Sequence, residues 1–227
     1  MSQPPIKRSQ VNKYRSVPGH YLYVAGDCVS FAGFNYKVIR GPDGRLWLDR
    51  NLGALEVASA YNDASAYGDL YQWGRLTDGH QIRTSGTTNT RATTDTPGNA
   101  NFINYGSSPY DWRNPGNDLL WQGLTGINNP CPPGFRIPTQ AEWIALVAAG
   151  GITNRATAFS SSLALPSGGY RDRSSAALTY VGTVGGYHSS TISGTDVLDF
   201  YVDATTVDTA WGPISRQTGL SVRPICD

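Results

Sequence analysis

Apolar residues recur at helical spacing most clearly at Trp143, Ile144, Leu146 and Val147, and the flanks of that run carry their own punctuation. Pro130, Pro132, Pro133 and Gly134 fix a bend upstream, Phe135-Arg136-Ile137 reads as a short strand, and Thr139 stands where a helix N-cap belongs. Glu142, three residues on, completes a capping box, and Gly150-Gly151 supplies a left-handed stop. The pattern predicts a short amphipathic helix entered from a strand. Its indole and aliphatic side needs a cover, and the apolar strands of adequate length lie at 27–55 and in the C-terminal third. The helix is thus expected to sit between two parts of one core.

Elsewhere the period is two. Residues 29–40 alternate aromatic and small side chains (Phe31, Phe34, Tyr36, Val38), 41–44 form a Gly-Pro-Asp-Gly turn, and 45–50 return with Leu46, Trp47 and Leu48, a β-hairpin. Residues 58–71, rich in Ala and Tyr with Asn62-Asp63 as cap, predict a first helix. Residues 84–101 contain no large apolar side chain, which predicts a long loop that is functional or mobile. After the organising helix, 153–162 reads as loop and 163–170 as a strand broken by a turn. Further strands are predicted at 179–184, 186–191, 197–203 and 220–226. Along 196–203, Leu198, Phe200 and Val202 would face the core, while Asp199, Tyr201 and Asp203 would face water. The class is α+β: two short helices packed on small twisted antiparallel sheets, with much loop.

Composition changes this picture little. The 26 glycines and 14 prolines fit many turns, and six tryptophans with 13 tyrosines are too many for a disordered chain. Charge is more informative. Residues 1–26 hold Lys7, Arg8, Lys13 and Arg15 and no acid, so a chain of net charge +1 divides into an arm of +4 and a body of −3. The arm is expected to become ordered on a partner or on neighbouring copies, and the near-neutral total disfavours nucleic acid. No apolar run of about 18 residues exists to insert in a membrane. The opening MSQPPIKRSQ lacks a secretory signal, implying a mature form or delivery outside the secretory pathway, as for virion proteins. Cys28, Cys131 and Cys226 fit no zinc spacing; they are either small buried hydrophobes or include a Cys131–Cys226 disulfide. His20, His80 and His188 are scattered, and no cofactor-binding or catalytic motif accompanies them. His80 reads as a turn or packing residue.

Six motifs in fixed order, DGRLWLDRNLG (43–53), YGDLYQWGR (67–75), NPCPPGFRIPTQAEW (129–143), LPSGGYRD (165–172), GGYHSS (185–190) and GLSVRPICD (219–227), resemble the Fibrobacter succinogenes major paralogous domain over residues 27–227. That family is similar to the C-type-lectin-like fold, near the formylglycine-generating enzymes and the variable proteins of diversity-generating retroelements. The resemblance implies that both ends of the domain share one sheet. It also implies a ligand face built late in the chain, here between residues 187 and 217: Tyr187, His188, Ser190, Asp199, Tyr201, Asp203, Trp211 and Arg216. The EPN, QPD and WND triplets of calcium-dependent sugar sites are missing, and Asp199 and Asp203, about 13 Å apart along a strand, are too far to share an ion. The active-site cysteine pair of the formylglycine-generating enzymes is missing as well, with Cys226 alone in the corresponding region.

The expectation is a non-enzymatic recognition module on a virion surface, of the phage tail-fibre or receptor-binding type. It would bind a host-surface protein or glycan late in the chain and other virion proteins through the arm, as a homotrimer without a cofactor. A bacterial surface, secreted or purely structural protein of the same fold is the alternative, and an oxidase relative of the formylglycine-generating enzymes is a third reading.

Overall fold

The computed structural model describes residues 21–209 and 214–227. The first sheet gathers β1 (Cys28–Phe31), β2 (Phe34–Arg40), β3 (Leu46–Leu48), β7 (Phe135–Arg136) and β14 (Ile225–Cys226) in the order β1-β2-β3-β14-β7. The last strand therefore lies between an N-terminal strand and the strand of the organising motif, so the two ends of the domain share a sheet. The predicted hairpin is β2–β3, but 29–40 is two strands, because Ala32 (φ 50°) and Gly33 (φ 84°) turn the chain back on itself.

The second sheet is β10 (Gly185–Ser193), β11 (Asp196–Val202) and β12 (Val207–Asp208). A third holds β4 (Tyr71–Gln72), β8 (Tyr170–Arg171), β9 (Leu178–Thr179) and β13 (Gly219–Leu220) in the order β4-β13-β8-β9, and β5 (Thr87–Thr88) pairs in parallel with β6 (Phe102–Ile103). Single bridges Gly169–Gly185 and Tyr187–Ser221 join the second and third sheets into a curled half-barrel.

Helix α1 (Gln140–Gly150) forms where the pattern placed it, with the capping box between Thr139 and Glu142 and a left-handed cap at Gly151. Its buried side is Trp143 and Leu146, while Ile144 is half exposed. The second helix, α2 (Arg155–Ser160), falls in a predicted loop. Asn154 caps it by accepting from the Ala156 and Thr157 amides, an N-cap signal that outweighs the weak apolar pattern behind it. At 58–71 the expected helix is replaced by a 3-10 turn, Ala64–Ala66, capped by Asp63, and the stretch ends in the first residue of β4. Tyr67, Leu70 and Tyr71 there are spent on packing irregular chain rather than on a helix face.

Among the described residues the interior has two hydrophobic clusters. Tyr36, Val38, Trp73, Trp112, Trp121, Phe135 and Val197 belong to one. Trp47, Trp143, Leu146, Tyr187, Phe200 and Ile225 belong to the other. Strand β11 serves both, which is why the simple one-face-wet reading of 196–203 fails: Val197 and Asp199 are buried on the side expected to be wet, and Leu198 is only half-buried.

Phe200 stacks on Trp143 (centroids 4.8 Å apart) and on Tyr187 (5.7 Å). Phe200→Ala is accordingly expected to cost roughly 3–5 kcal/mol in denaturant unfolding. Tyr201→Ala, next in sequence but on the outer rim, is expected to stay within about 1 kcal/mol. Equal losses would contradict this assignment of the strand.

Candidate functional site

Of the residues expected to form a ligand face, most are interior. The Tyr187 ring lies in the aromatic stack and its hydroxyl donates to the Pro166 carbonyl at 2.5 Å. His188 is fully enclosed: Nε2 donates to the Tyr71 carbonyl at 2.7 Å, the ring meets Trp121 edge-on, and burial lowers its pKa to about 4. Ser190 is buried with its amide on the Pro138 carbonyl. Arg216 is buried against the Trp73 ring and pairs with Asp118 at 2.5 Å, with Asp111 at 3.7 Å. Trp211 lies outside the described residues. The physical reason is shared: β10 is covered on both faces, Tyr187 packing on Trp143 of α1 and His188 on Trp121 of the other cluster, so its alternation does not separate dry from wet.

Asp199 is 4% exposed, sits directly across from His188 in the ladder, and keeps Oδ1 without a hydrogen-bond partner among the described residues. Burial, then the Asp208 carboxylate, pushes its pKa up to about 7. His80 is likewise committed. Its Nδ1 donates to Asp78 at 2.5 Å and its Nε2 accepts the Gln72 amide at 3.0 Å, so neither ring nitrogen is left to reach a substrate, and burial lowers its pKa to about 4. All three cysteines are free thiols, so the Cys131–Cys226 bridge is not formed. Among the described residues no group of three His, Cys, Asp or Glu side chains is placed to hold a metal ion.

Among the expected residues that are described, Tyr201 and Asp203 stay at the surface together, and the fold adds to them residues that the pattern did not single out. The Tyr201 hydroxyl donates to Asp203 Oδ2 at 3.0 Å. Partial burial first, then Asp203 and the neighbouring hydroxyls of Tyr180 and Tyr170, push the Tyr201 phenol upward. The Asp203 carboxylate accepts the Thr205 and Thr206 amides, each at 2.8 Å, and these bonds hold its pKa below the usual range. Tyr170 and Tyr180 lie with centroids 5.8 Å apart. Arg155 closes the rim: its amide donates to the Asp203 carbonyl, its guanidinium to the Thr183 carbonyl at 3.0 Å, and its charge lies over the Tyr61 ring at 4.6 Å.

Tyr180 is the exposed centre of this group, at 60% of its full accessibility, with Leu178 and Val181 beside it. Its backbone is left-handed, φ 53°, a conformation that costs a residue bearing Cβ roughly 1–2 kcal/mol. The turn is held there from within, since the Tyr180 carbonyl accepts the amides of Thr183 and Val184, both at 3.0 Å, and the Thr183 hydroxyl at 2.9 Å. A ring is thus fixed outward in solvent by a strained, hydrogen-bonded turn. The sequence pattern predicts a strand over 179–184 here, because Thr179, Tyr180, Val181 and Val184 are all strand-forming residue types and none of them marks a left-handed turn.

No family model, curated protein or solved structure matches the chain. The functional reading therefore rests on its residues and their geometry.

The titration of Asp199 gives a test of the buried side of this sheet. Its folded pKa lies above the ordinary 3.8, so the stability it contributes is complete below about pH 4 and is lost as pH rises toward 7. The buried histidines act oppositely, losing stability as pH falls from 6.5 toward 4. Asp199→Asn removes the first effect alone. Relative to the parent, it should gain stability between pH 4 and pH 8, by up to about 4 kcal/mol, in urea unfolding at the two pH values. The same difference at both would show that Asp199 is not held protonated by burial.

Proposed function

We propose that this chain is a non-enzymatic recognition module of C-type-lectin-like fold, displayed on a virion surface, that grips a host-surface protein or glycan through Tyr170, Tyr180 and Tyr201. Asp203 and Arg155 supply the polar edge. The fold reading is supported by the shared terminal sheet, by α1 packed on β10 and β11, and by a long irregular insert between β4 and β7. One observation carries the functional reading: Tyr180 is held exposed in a left-handed turn that glycine would occupy without strain. Strain kept at an exposed aromatic supports a role for that ring outside the fold. Rigid tyrosines bury large area at low entropic cost, and a turn fixed before binding loses little on association.

A second reading has some support from the same face. Leu178 and Val181 are exposed aliphatics beside Tyr180, a composition that also suits contact with a neighbouring subunit in a structural protein. Oligomeric state by mass photometry separates the two, because the recognition reading requires that Tyr180→Ala leave the assembly unchanged.

Adsorption of labelled protein to intact bacterial cells, across a strain panel, tests the leading reading, with protease or periodate treatment of the cells assigning protein or glycan. Tyr180→Ala should weaken binding by about 2 kcal/mol or more, roughly thirtyfold, as a central aromatic anchor does. Tyr180→Gly should lose binding equally while stabilising the fold by about 1 kcal/mol, since it relieves the left-handed strain. A Tyr180→Gly protein that binds as well as its parent would refute the assignment.

A further inference from the structure

Arginine sits over aromatic rings throughout this molecule. Five tyrosines, Tyr36, Tyr61, Tyr67, Tyr105 and Tyr110, each carry a guanidinium at 4.1–5.5 Å from the ring centroid. The ring quadrupole attracts the cation, and a planar, weakly hydrated guanidinium suits that position better than an ammonium does. Tyr170 and Tyr180 are exceptions. Among the described residues no guanidinium lies over either ring, and the two pack on each other with planes 56° apart, which leaves Tyr180 mostly in solvent.

The basic side chains of the adjoining segments are committed elsewhere. Arg155 lies over Tyr61 and donates to Thr183, and Arg83 lies over Tyr67 and donates to the Gly168 carbonyl at 2.6 Å. Arg171, next to Tyr170, is buried over the Phe102 ring at 4.4 Å and bound to Ala176 and Ser85. What surrounds the exposed rings is acid. Burial, then the Tyr180 hydroxyl and the Asp172 carboxylate, raises the Tyr170 phenol, with no cation opposing them, and Asp203 holds the Tyr201 hydroxyl. From 174 to 215 the chain has four aspartates and no Lys or Arg. Leu178 and Val181, exposed beside Tyr180, add an aliphatic edge along which a methylene stem can lie.

We propose that the Tyr180 face, backed by Tyr170 and set among Asp172 and Asp203, receives an arginine side chain of a host-surface protein. This rests on the recognition reading above and narrows its ligand from protein or glycan to protein. The incoming guanidinium makes on this ring the contact that the fold makes five times on its own tyrosines. A neutral or anionic sugar gains nothing from the acidic setting.

The full chain is titrated with the Nα-acetyl amides of arginine, lysine and citrulline at fixed ionic strength, and the backbone amide shifts of 178–184 are followed by NMR. Citrulline keeps the plane and loses the charge, whereas lysine keeps the charge and loses the plane. Arginine should bind about fivefold more tightly than citrulline, with lysine between them, and Tyr180→Leu should abolish the preference. Equal affinities, or lysine bound as well as arginine, overturn the proposal. On cells, blocking arginines with phenylglyoxal should cut adsorption about tenfold, while acetylating lysines should leave most of it. Adsorption that needs Tyr180 yet survives phenylglyoxal overturns the proposal and leaves the recognition reading standing. Adsorption indifferent to Tyr180→Leu sinks that reading and the proposal with it. Self-association that Tyr180→Leu abolishes also overturns the proposal, since the arginine is then a second copy's.

Discussion

Irregular chain can be taken out of water only where each buried carbonyl finds a donor, and in this protein side chains supply those donors. Isolated buried carbonyls cost several kcal/mol in an apolar interior, so a fold with two short helices and mostly two- to four-residue strands must satisfy them another way. Four indoles do so directly: Trp73 donates to Ser189, Trp112 to Trp73, Trp121 to Asn128 and Trp143 to His188. Gln72 donates to the Ile103 and Gln217 carbonyls and accepts from the Ile103 amide and Arg75. Asn128 reaches the carbonyls of Gly74 and Asp95, and Gln217 those of Tyr105 and Arg173. Three buried arginines extend the scheme: Arg75 to Asn99 and Asn101, Arg171 to Ala176 and Ser85, and Arg223 to Leu48 and Leu163. Arg is suited to this because its planar fork presents several donors at fixed angles.

This scheme accounts for the surface as well. The stretch 84–101, without large apolar side chains, is pinned by Arg75, by Arg171, by the Arg113–Asp95 ion pair at 2.8 Å and by the pairing of β5 with β6, so it is an ordered wall and not a free loop. Arg171 binds Ser85 and Ala176 at once and thereby ties that wall to the turn leading into β9. A strained turn such as the one at Tyr180 persists only when its surroundings over-determine it. Here they do, through Gly182 on Ser167, Thr183 and Val184 on Tyr180, and Arg155 on Thr183.

The legible parts of the sequence were those governed by local rules. The capping box of α1 and the turn at 41–44 were readable because each is decided within a few residues, whereas the terminal strand beside the N-terminal hairpin, a pairing of Ile225 with Trp47, was an expectation from the resemblance and not from any local pattern. The candidate face was readable only at Tyr201 and Asp203. Tyr187, His188 and Asp199 look like binding residues in sequence, yet a polar side chain on a strand covered on both sides is interior, and no periodicity reveals that second cover. Tyr170 and Tyr180 meet through the pairing of β8 with β9, which sets Tyr170 across from Thr179, while Arg155 reaches them through its bond to Thr183 and Tyr201 through the bridge between the second and third sheets. The helix expected at 58–71 failed for a related reason, since its aromatics serve different neighbours instead of one face.

If donors from side chains hold the irregular half of the fold, the most exposed point of failure is Gln72, one amide serving four partners. Equilibrium urea unfolding of Gln72→Met is therefore the direct measurement. Met matches the shape without the hydrogen bonds, leaving two carbonyls, an amide and a guanidinium N–H unpaired at roughly 1–3 kcal/mol each. The account predicts a loss of at least about 3 kcal/mol, comparable with removing a buried aromatic ring. A loss below about 1 kcal/mol would contradict it, because hydrophobic burial alone would then be holding these segments in place.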